Sequence, residues 1–294
     1  MTSLASPAPA PGSTRSEQRV ARSERLRLLL RSPTVLIGAI VVAFWVFCAM
    51  FPGLVTPYNP IFDNNFPPSE HPSWAHPFGT DTNGRDVLSR VLAGSRAILQ
   101  ISALATLIGT VLGTSLGLLT GYLRGVVDDV TSRFIDAILS LPLIITAIFV
   151  VTAVGNSGRW VVTLIIGLIF TPVIARTVRA GVLAEAELDY VQAAKLRGER
   201  RQYIMFSEIL PNVMSLVVVE FTVRLGYAIF AIATLGFLGF GVAPPSPDWA
   251  AQIYQYYTLI DPYWWMTLFP ALAIASLVVA VNLVADGVRE AYER

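Results

Sequence analysis

Hydrophobic and polar positions along this chain separate into long uncharged runs joined by short charged segments, and the runs have the length of membrane spans. The first, about Pro33 to Val55, is uncharged over more than the roughly 20 residues a bilayer requires. It exceeds a signal-peptide core and no small-residue cleavage site follows it, so it is expected to stay in the membrane. A second lies between Arg96 and Arg124, with 27 uncharged residues in between. A third, about Ala137 to Gly155, contains Pro142, which predicts a kink. After a turn at Asn156, Ser157, Gly158 and Arg159, the fourth covers about Trp160 to Ala175, with Pro172 near its end and an extension through Arg179 to Leu188 into water. The fifth is about Val213 to Phe240 and the sixth about Tyr263 to Ala285. The expected fold class is all-α, with six transmembrane helices.

Within the second run, Gly109, Gly113, Gly117, Gly121 and Gly125 recur every four residues. That period puts them on one helix face, where another backbone can approach closely. In the fifth run, Glu220 and Arg224 are four apart on one face. Each would cost roughly 2.5–3.5 kcal/mol facing lipid at mid-helix. Both must face protein or a water-filled cavity, either as part of a permeation path or as a pair that fixes packing.

The polar segments are equally informative. Residues 1–14 are Pro, Ala, Ser, Gly and Thr without an apolar run, which predicts a disordered tail. Residues 15–32 hold six arginines against Glu17 and Glu24, interleaved with Val20, Leu26, Leu28, Leu29 and Leu30. This suits a helix on an anionic membrane surface, or a basic flank that orients the first span. The segment 56–94 is rich in Pro, Asn and Asp. The stretch 188–212 reads as helix, turn and helix: Ala193, Ala194, Lys195, Leu196 and Arg197 favour helix, Gly198 can end it, and Pro211 marks the approach to the next element.

Arginine and lysine counts orient the spans. With both termini cytoplasmic, the inner segments hold 16 of the 21 basic residues, six of them in 176–212. That assigns 176–212 to the cytoplasm and 56–94 to the outside. Six basic and five acidic residues leave 176–212 nearly neutral, a poor lipid anchor and a better match for a groove on a folded protein. Helix-in-groove docking would use Tyr190, Val191, Ala193, Ala194 and Leu196.

Composition agrees with a membrane protein: 54% hydrophobic and 14% charged residues, with mean hydropathy +0.60. A net charge of +1 exerts no overall pull toward nucleic acid. Cys48 is the only cysteine, which excludes an intramolecular disulfide. Lys195 is the only lysine and follows Ala194, so the chain has no P-loop with which to bind ATP. No His-Glu-x-x-His motif occurs, and the two histidines, His71 and His76, share one outer segment. Together with Glu70 and Asp81 they could contact a divalent metal, but His76 precedes Pro77 in a turn and no metal site is assigned. Catalysis is not expected of this chain. Trp249, Tyr254, Tyr256, Tyr257, Tyr263, Trp264 and Trp265 read as an interfacial aromatic belt, with Trp249 also a candidate contact for an external partner.

At 188–212 the sequence resembles the permease subunits of bacterial ABC importers, whose cytoplasmic loop carries Glu-Ala-Ala, a Gly six residues after the Glu, and a later Leu-Pro. Gln192-Ala193-Ala194, Gly198 and Leu210-Pro211 keep that spacing, with Gln192 in place of the Glu and Glu208 where many members have Ile. His76-Pro77-Phe78-Gly79-Thr80-Asp81, Gly84-Arg85-Asp86, Ser89-Arg90, the run Leu235 to Gly241, Pro244-Pro245, Pro247-Asp248-Trp249 and Asp286 to Glu290 are similar to the C-type permease of dipeptide, oligopeptide and nickel importers. The resemblance covers about residues 33–290. It implies a type I importer permease in the bacterial inner membrane, taking up di- or oligopeptides, with nickel or another small solute as the alternative. A membrane scaffold that anchors an ATPase is the alternative from another class, and a secondary transporter acting alone the last. It further implies a paralogous B-type permease, two ATP-binding subunits (or one fused) that hold the ATP and Mg, and an extracellular substrate-binding protein. The coupling residues would be Tyr190, Gln192 to Gly198, Leu210 and Pro211.

Overall fold

A computed structural model describes residues 32–62, 66–155, 158–242 and 244–293 as a bundle of helices. The tail expected over 1–14 and, Ser32 apart, the basic segment 15–32 lie outside these residues, as do Asn156 and Ser157 of the expected turn. The elements are α1 (Pro33–Met50), α2 (Pro52–Val55), α3 (Val87–Leu123), α4 (Val126–Leu139), α5 (Leu143–Val154), α6 (Arg159–Glu185) and α7 (Asp189–Leu196). A helical run then passes through Arg201–Tyr203 and a π-helical segment Ile204–Ile209 into α8 (Leu210–Leu235). It ends in a second π-helical segment, Gly236–Phe240, and is followed by α9 (Trp249–Tyr256) and α10 (Trp265–Glu293).

Among the described residues, five helical runs are long and apolar enough to cross a membrane: α1, α3, α6, Arg201–Phe240 and α10. The third expected span has a different shape from a kinked helix. Pro142 takes an extended conformation, ends the path of α4 and starts α5, and the two helices meet at 91°. The 12 residues of α5 rise only about 18 Å, short of a bilayer's ~30 Å hydrocarbon core, so a sixth span exists only if α4 and α5 count as one. The first expected span is also interrupted, at Phe51 ahead of Pro52.

The most extensive helix contact lies between α3 and α6. A Cβ on Gly109 would sit 2.9 Å from the carbonyl oxygen of Gly167, one on Gly113 2.8 Å from that of Thr171, one on Gly117 2.7 Å from that of Ala175, and one on Gly121 3.0 Å from that of Arg179. Both helices therefore step by four in the same direction, parallel and backbone to backbone. Gly125 does not join this face. Nothing lies within 4 Å of its would-be Cβ, and with φ +69° it forms the α3–α4 turn, where a side chain would be strained. On the other side of the bundle α10 is held between α1 and α8: a Cβ on Gly38 would lie 2.7 Å from the Ala280 carbonyl oxygen, and one on Gly226 would run into Asn282 Oδ1.

At the start of α3 the described part of the polar segment 56–94 folds into a cap around buried charges. Asp86 is the N-cap of α3, its carboxylate accepting from the Ser89 amide at 2.8 Å and from His76 Nδ1 at 3.0 Å. Asp81 accepts from Arg85 Nε at 2.8 Å, from the amides of Asn83 and Arg85, and from the Tyr256 hydroxyl at 3.1 Å. Arg90 lies 3.6 Å from Asp81 and donates to the carbonyl oxygens of Pro60, Pro245 and Ser246. Trp249 donates its ring N–H to Val91 O at 2.6 Å and Trp265 to Thr80 O at 3.1 Å.

These two devices generate two expectations. Gly113→Leu should destabilise the folded chain by at least about 1–3 kcal/mol through overpacking against Thr171 and Ile174. Gly53→Ala, which meets nothing within 4 Å, is the control, with thermal unfolding in detergent as the measurement. Asp81→Asn leaves two buried guanidinium groups without their shared carboxylate and should cost about 3–5 kcal/mol, read by the same assay.

Candidate functional site

The segment between α6 and α8 is a short helix seated on the core by one face. Val191 and Ala194 of α7 are fully buried, in the same core cluster as Val182, Ala186, Ile204 and Ile209. Ala193, Lys195, Leu196 and Arg197 point outward, with Leu196 90% exposed. The groove-docking set expected from sequence is thus divided, because Val191 and Ala194 serve the chain's own packing. Gly198 ends α7 with φ +76°. Its amide donates to Lys195 O and the Glu199 amide to Ala194 O, a Schellman closure that requires the left-handed conformation glycine supplies.

Polar contacts fix the seat of α7. The Tyr190 hydroxyl donates to Glu185 Oε2 at 2.7 Å and accepts from Asn212 Nδ2 at 3.1 Å, tying α6, α7 and the first turn of α8 together. Burial, then the Glu185 carboxylate, pushes the Tyr190 phenol up to about 12, so it remains a neutral donor. Gln192 Nε2 donates to the Ala186 carbonyl oxygen at 3.0 Å, satisfying a carbonyl at the end of α6. Arg197 lies 3.7 Å from both Glu199 and Glu208. Leu210 is half-buried against the core and Pro211 is exposed. Because Pro211 lacks an amide hydrogen, the turn before it cannot keep regular i−4 bonding, and the π-helical segment Ile204–Ile209 sits there.

The end of α3 borders the same site. Arg124 forms an ion pair with Glu187, and Lys195 Nζ lies 5.7 Å from the centre of the Tyr122 ring. A cavity of about 370 Å³ opens between them, lined by Tyr122, Leu123, Lys195, Glu199, Arg201 and Ile204.

Elsewhere the candidate residues have structural partners. Arg224 Nε donates to Glu220 Oε2 at 3.0 Å, a half-buried pair within one helix turn, and its guanidinium lies 5.3 Å from the Tyr227 ring centre. Among the described residues no three His, Cys, Asp or Glu side chains gather to hold a metal: His76 is taken by Asp86 and His71 packs on Trp265. Trp249, Tyr256 and Trp265 are buried and hold the cap, so neither a partner contact for Trp249 nor a full aromatic belt is formed; Tyr254, Tyr257 and Trp264 are exposed. Sequence reading missed the bidentate Arg179–Asp128 pair, at 2.5 and 2.7 Å, which docks α4 on α6. Its signal was the acidic pair Asp128–Asp129 in the first turn of a helix following Gly125. Also missed was buried Asp248, which caps α9 by accepting from the Ala251 amide at 2.9 Å; burial pushes its carboxyl pKa up.

Residues 113–294 match the family described as "Binding-protein-dependent transport system inner membrane component". The chain belongs to this family. The dipeptide transport system permease protein DppC of Escherichia coli (strain K12) is 37% identical to this inner membrane component over 270 residues, 90% of this chain and 89% of that protein. The di/tripeptide permease DppC of Pseudomonas aeruginosa (strain UCBPP-PA14) is 35% identical over 262 residues, 87% and 86% of the two chains. The glutathione permease GsiD of Salmonella typhimurium (strain LT2) is 40% identical over 264 residues, 87% and 84%. In three dimensions the component resembles a chain of the inward-facing MetNI methionine ABC transporter, with TM-score 0.56 and 21% identity over 69% of this chain and 96% of that one. That likeness establishes the fold. The protein is thus a multi-pass permease component of an ABC transport system in the inner membrane, not itself the catalytic subunit.

Gln192→Glu tests the local geometry of this inner membrane component. A carboxylate cannot donate to the Ala186 carbonyl, so the variant should lose about 0.5–1.5 kcal/mol of stability while α7 stays helical, as read by thermal unfolding and circular dichroism.

Proposed function

We propose that this permease forms, with a paralogous B-type permease, the membrane pathway of an importer for di- and oligopeptides, driven by ATP hydrolysed on two separate subunits or one fused one. ATP and Mg are bound by those subunits, and an extracellular binding protein delivers the peptide. The peptide assignment rests on relatives of nearly full length whose names specify dipeptides, di/tripeptides and glutathione. The arginine and lysine distribution supports a cytoplasmic location for 176–212 and both termini, with the cap outside.

The observation that carries the docking role is the two-sidedness of α7. Its inner face is locked by Val191, Ala194 and the Tyr190 hydroxyl, and its outer face ends in a leucine 90% exposed in water. Such a helix resists tilting on its own chain while offering an apolar knob to a cleft, as force transmission from a moving ATPase requires. Lys195, Leu196, Arg197 and the neighbouring cavity supply that surface, while Gln192, Gly198, Leu210 and Pro211 set its angle.

Leu196→Asp should abolish ATP-driven dipeptide accumulation in proteoliposomes of the full complex and reduce ATPase retention on co-purification by at least about tenfold, with the permease still inserted. Retention and uptake at the unmodified level would overturn the docking role. Ala194→Asp, by burying a charge under α7, should in addition lower the chain's own stability.

A further inference from the structure

At the end of the bundle opposite α7, a cavity of about 360 Å³ lies between the first third of α3, the start of α6 and the loop after the second π-helical segment. Its walls include Ile61, Ala97 and Pro247, and its polar groups are Gln100 and the two guanidinium side chains Arg96 and Arg159. Most of the other arginines among the described residues are in ion pairs: Arg85 and Arg90 with Asp81, Arg124 with Glu187, Arg176 with Asp136, Arg179 with Asp128, Arg197 with Glu199 and Glu208, Arg224 with Glu220. Neither Arg96 nor Arg159 has an ion-pair partner among the described residues. The buried Asp248 carboxylate interacts with Arg159 electrostatically without forming an ion pair, so two guanidinium groups stand against one enclosed carboxylate. The excess positive charge at the wall of a largely apolar cavity raises the local concentration of anions, and guanidinium groups match a carboxylate in a planar, two-bond geometry.

We infer that this cavity is a carboxylate-binding subsite that receives the C-terminal carboxylate of the peptide substrate on the side away from α7. The inference rests on the peptide reading above. A carrier of peptides meets many side chains but one constant anion, the terminal carboxylate. A site that pairs two cations with neutral, apolar walls recognises that constant part and leaves the side chains unread. The volume is suited to the C-terminal residue of a peptide and its carboxylate.

The test uses the complete complex in lipid nanodiscs, without the binding protein. Cys48 is fully buried and is the only cysteine, so the unmodified chain is the unlabelled control. Gln100→Cys places a thiol at the cavity wall, and the labelling rates of anionic and cationic methanethiosulfonate reagents are compared. The anionic reagent should react roughly tenfold faster relative to the cationic one than it does with a free thiol. Adding R96Q and R159Q together should remove that preference. Di-alanine should slow labelling, whereas di-alanine amide, lacking the carboxylate, should not. Equal rates for the two reagents, no labelling in the assembled complex, equal protection by both peptides, or protection only on adding the binding protein would each overturn the inference. Dipeptide uptake by proteoliposomes of the unmodified complex is measured in parallel. Absent uptake refutes the peptide reading itself, while normal uptake without carboxylate-dependent protection refutes only the subsite.

Discussion

The architecture depends on the direct backbone contact between α3 and α6. In a bilayer, apolar side chains gain little by leaving lipid for a neighbouring helix, so helices associate where they can come close enough for dispersion and weak polar contacts to add up. Four glycines at a spacing of four remove every side chain that would hold α3 away from the carbonyl oxygens of Gly167, Thr171, Ala175 and Arg179. Because the two helices run parallel, the chain must return between them, and α4 and α5 make that return. The same parallel register brings Tyr122 and Arg124 at the end of α3 beside Glu187 and Lys195, just beyond the end of α6. The α7 site is thus positioned by a contact that begins about four turns earlier, in the membrane.

Much of this was legible because local spacing encodes it. The glycine face followed from a period of four, the end of α7 from Gly198, and the placement of Glu220 and Arg224 on one face from an i, i+4 interval, while the choice between a path-lining role and the observed pairing stayed open. Other features were not legible because sequence spacing says nothing about what lies across the fold. Gly125 keeps the period yet serves a turn, since periodicity does not report φ. Eight residues of α7 are too few for the pattern to show that Val191 and Ala194 point inward. Trp249, Tyr256 and Trp265 have the composition of an interfacial belt, but the groups that accept their hydrogens, Val91, Asp81 and Thr80, lie 158, 175 and 185 positions away. Pro142 announces a break without fixing its angle.

The motifs that resembled a permease family most closely proved to be structural. Thr80, Asp81, Arg85, Asp86 and Arg90 build the cap and start α3, and Pro245, Ser246 and Trp249 close it through Arg90 and Val91. Residues spent on holding the scaffold together say little about what is carried. Arg96 and Arg159 form no ion pair within that scaffold, which leaves them free for the solute contact proposed above.

The length of α3 gives the chain a mechanical property. Its 37 residues rise about 55 Å without an internal proline, which makes it a strut nearly twice as long as the hydrocarbon core is thick. One end is clamped by Asp86, Ser89 and Arg90 into the cap, and the other is tied to the α7 segment through Arg124 and Glu187. A strut anchored at both ends transmits displacement instead of absorbing it, so a tilt imposed at one membrane surface must reappear at the other. Gearing between the two surfaces therefore needs no relay of small side-chain shifts.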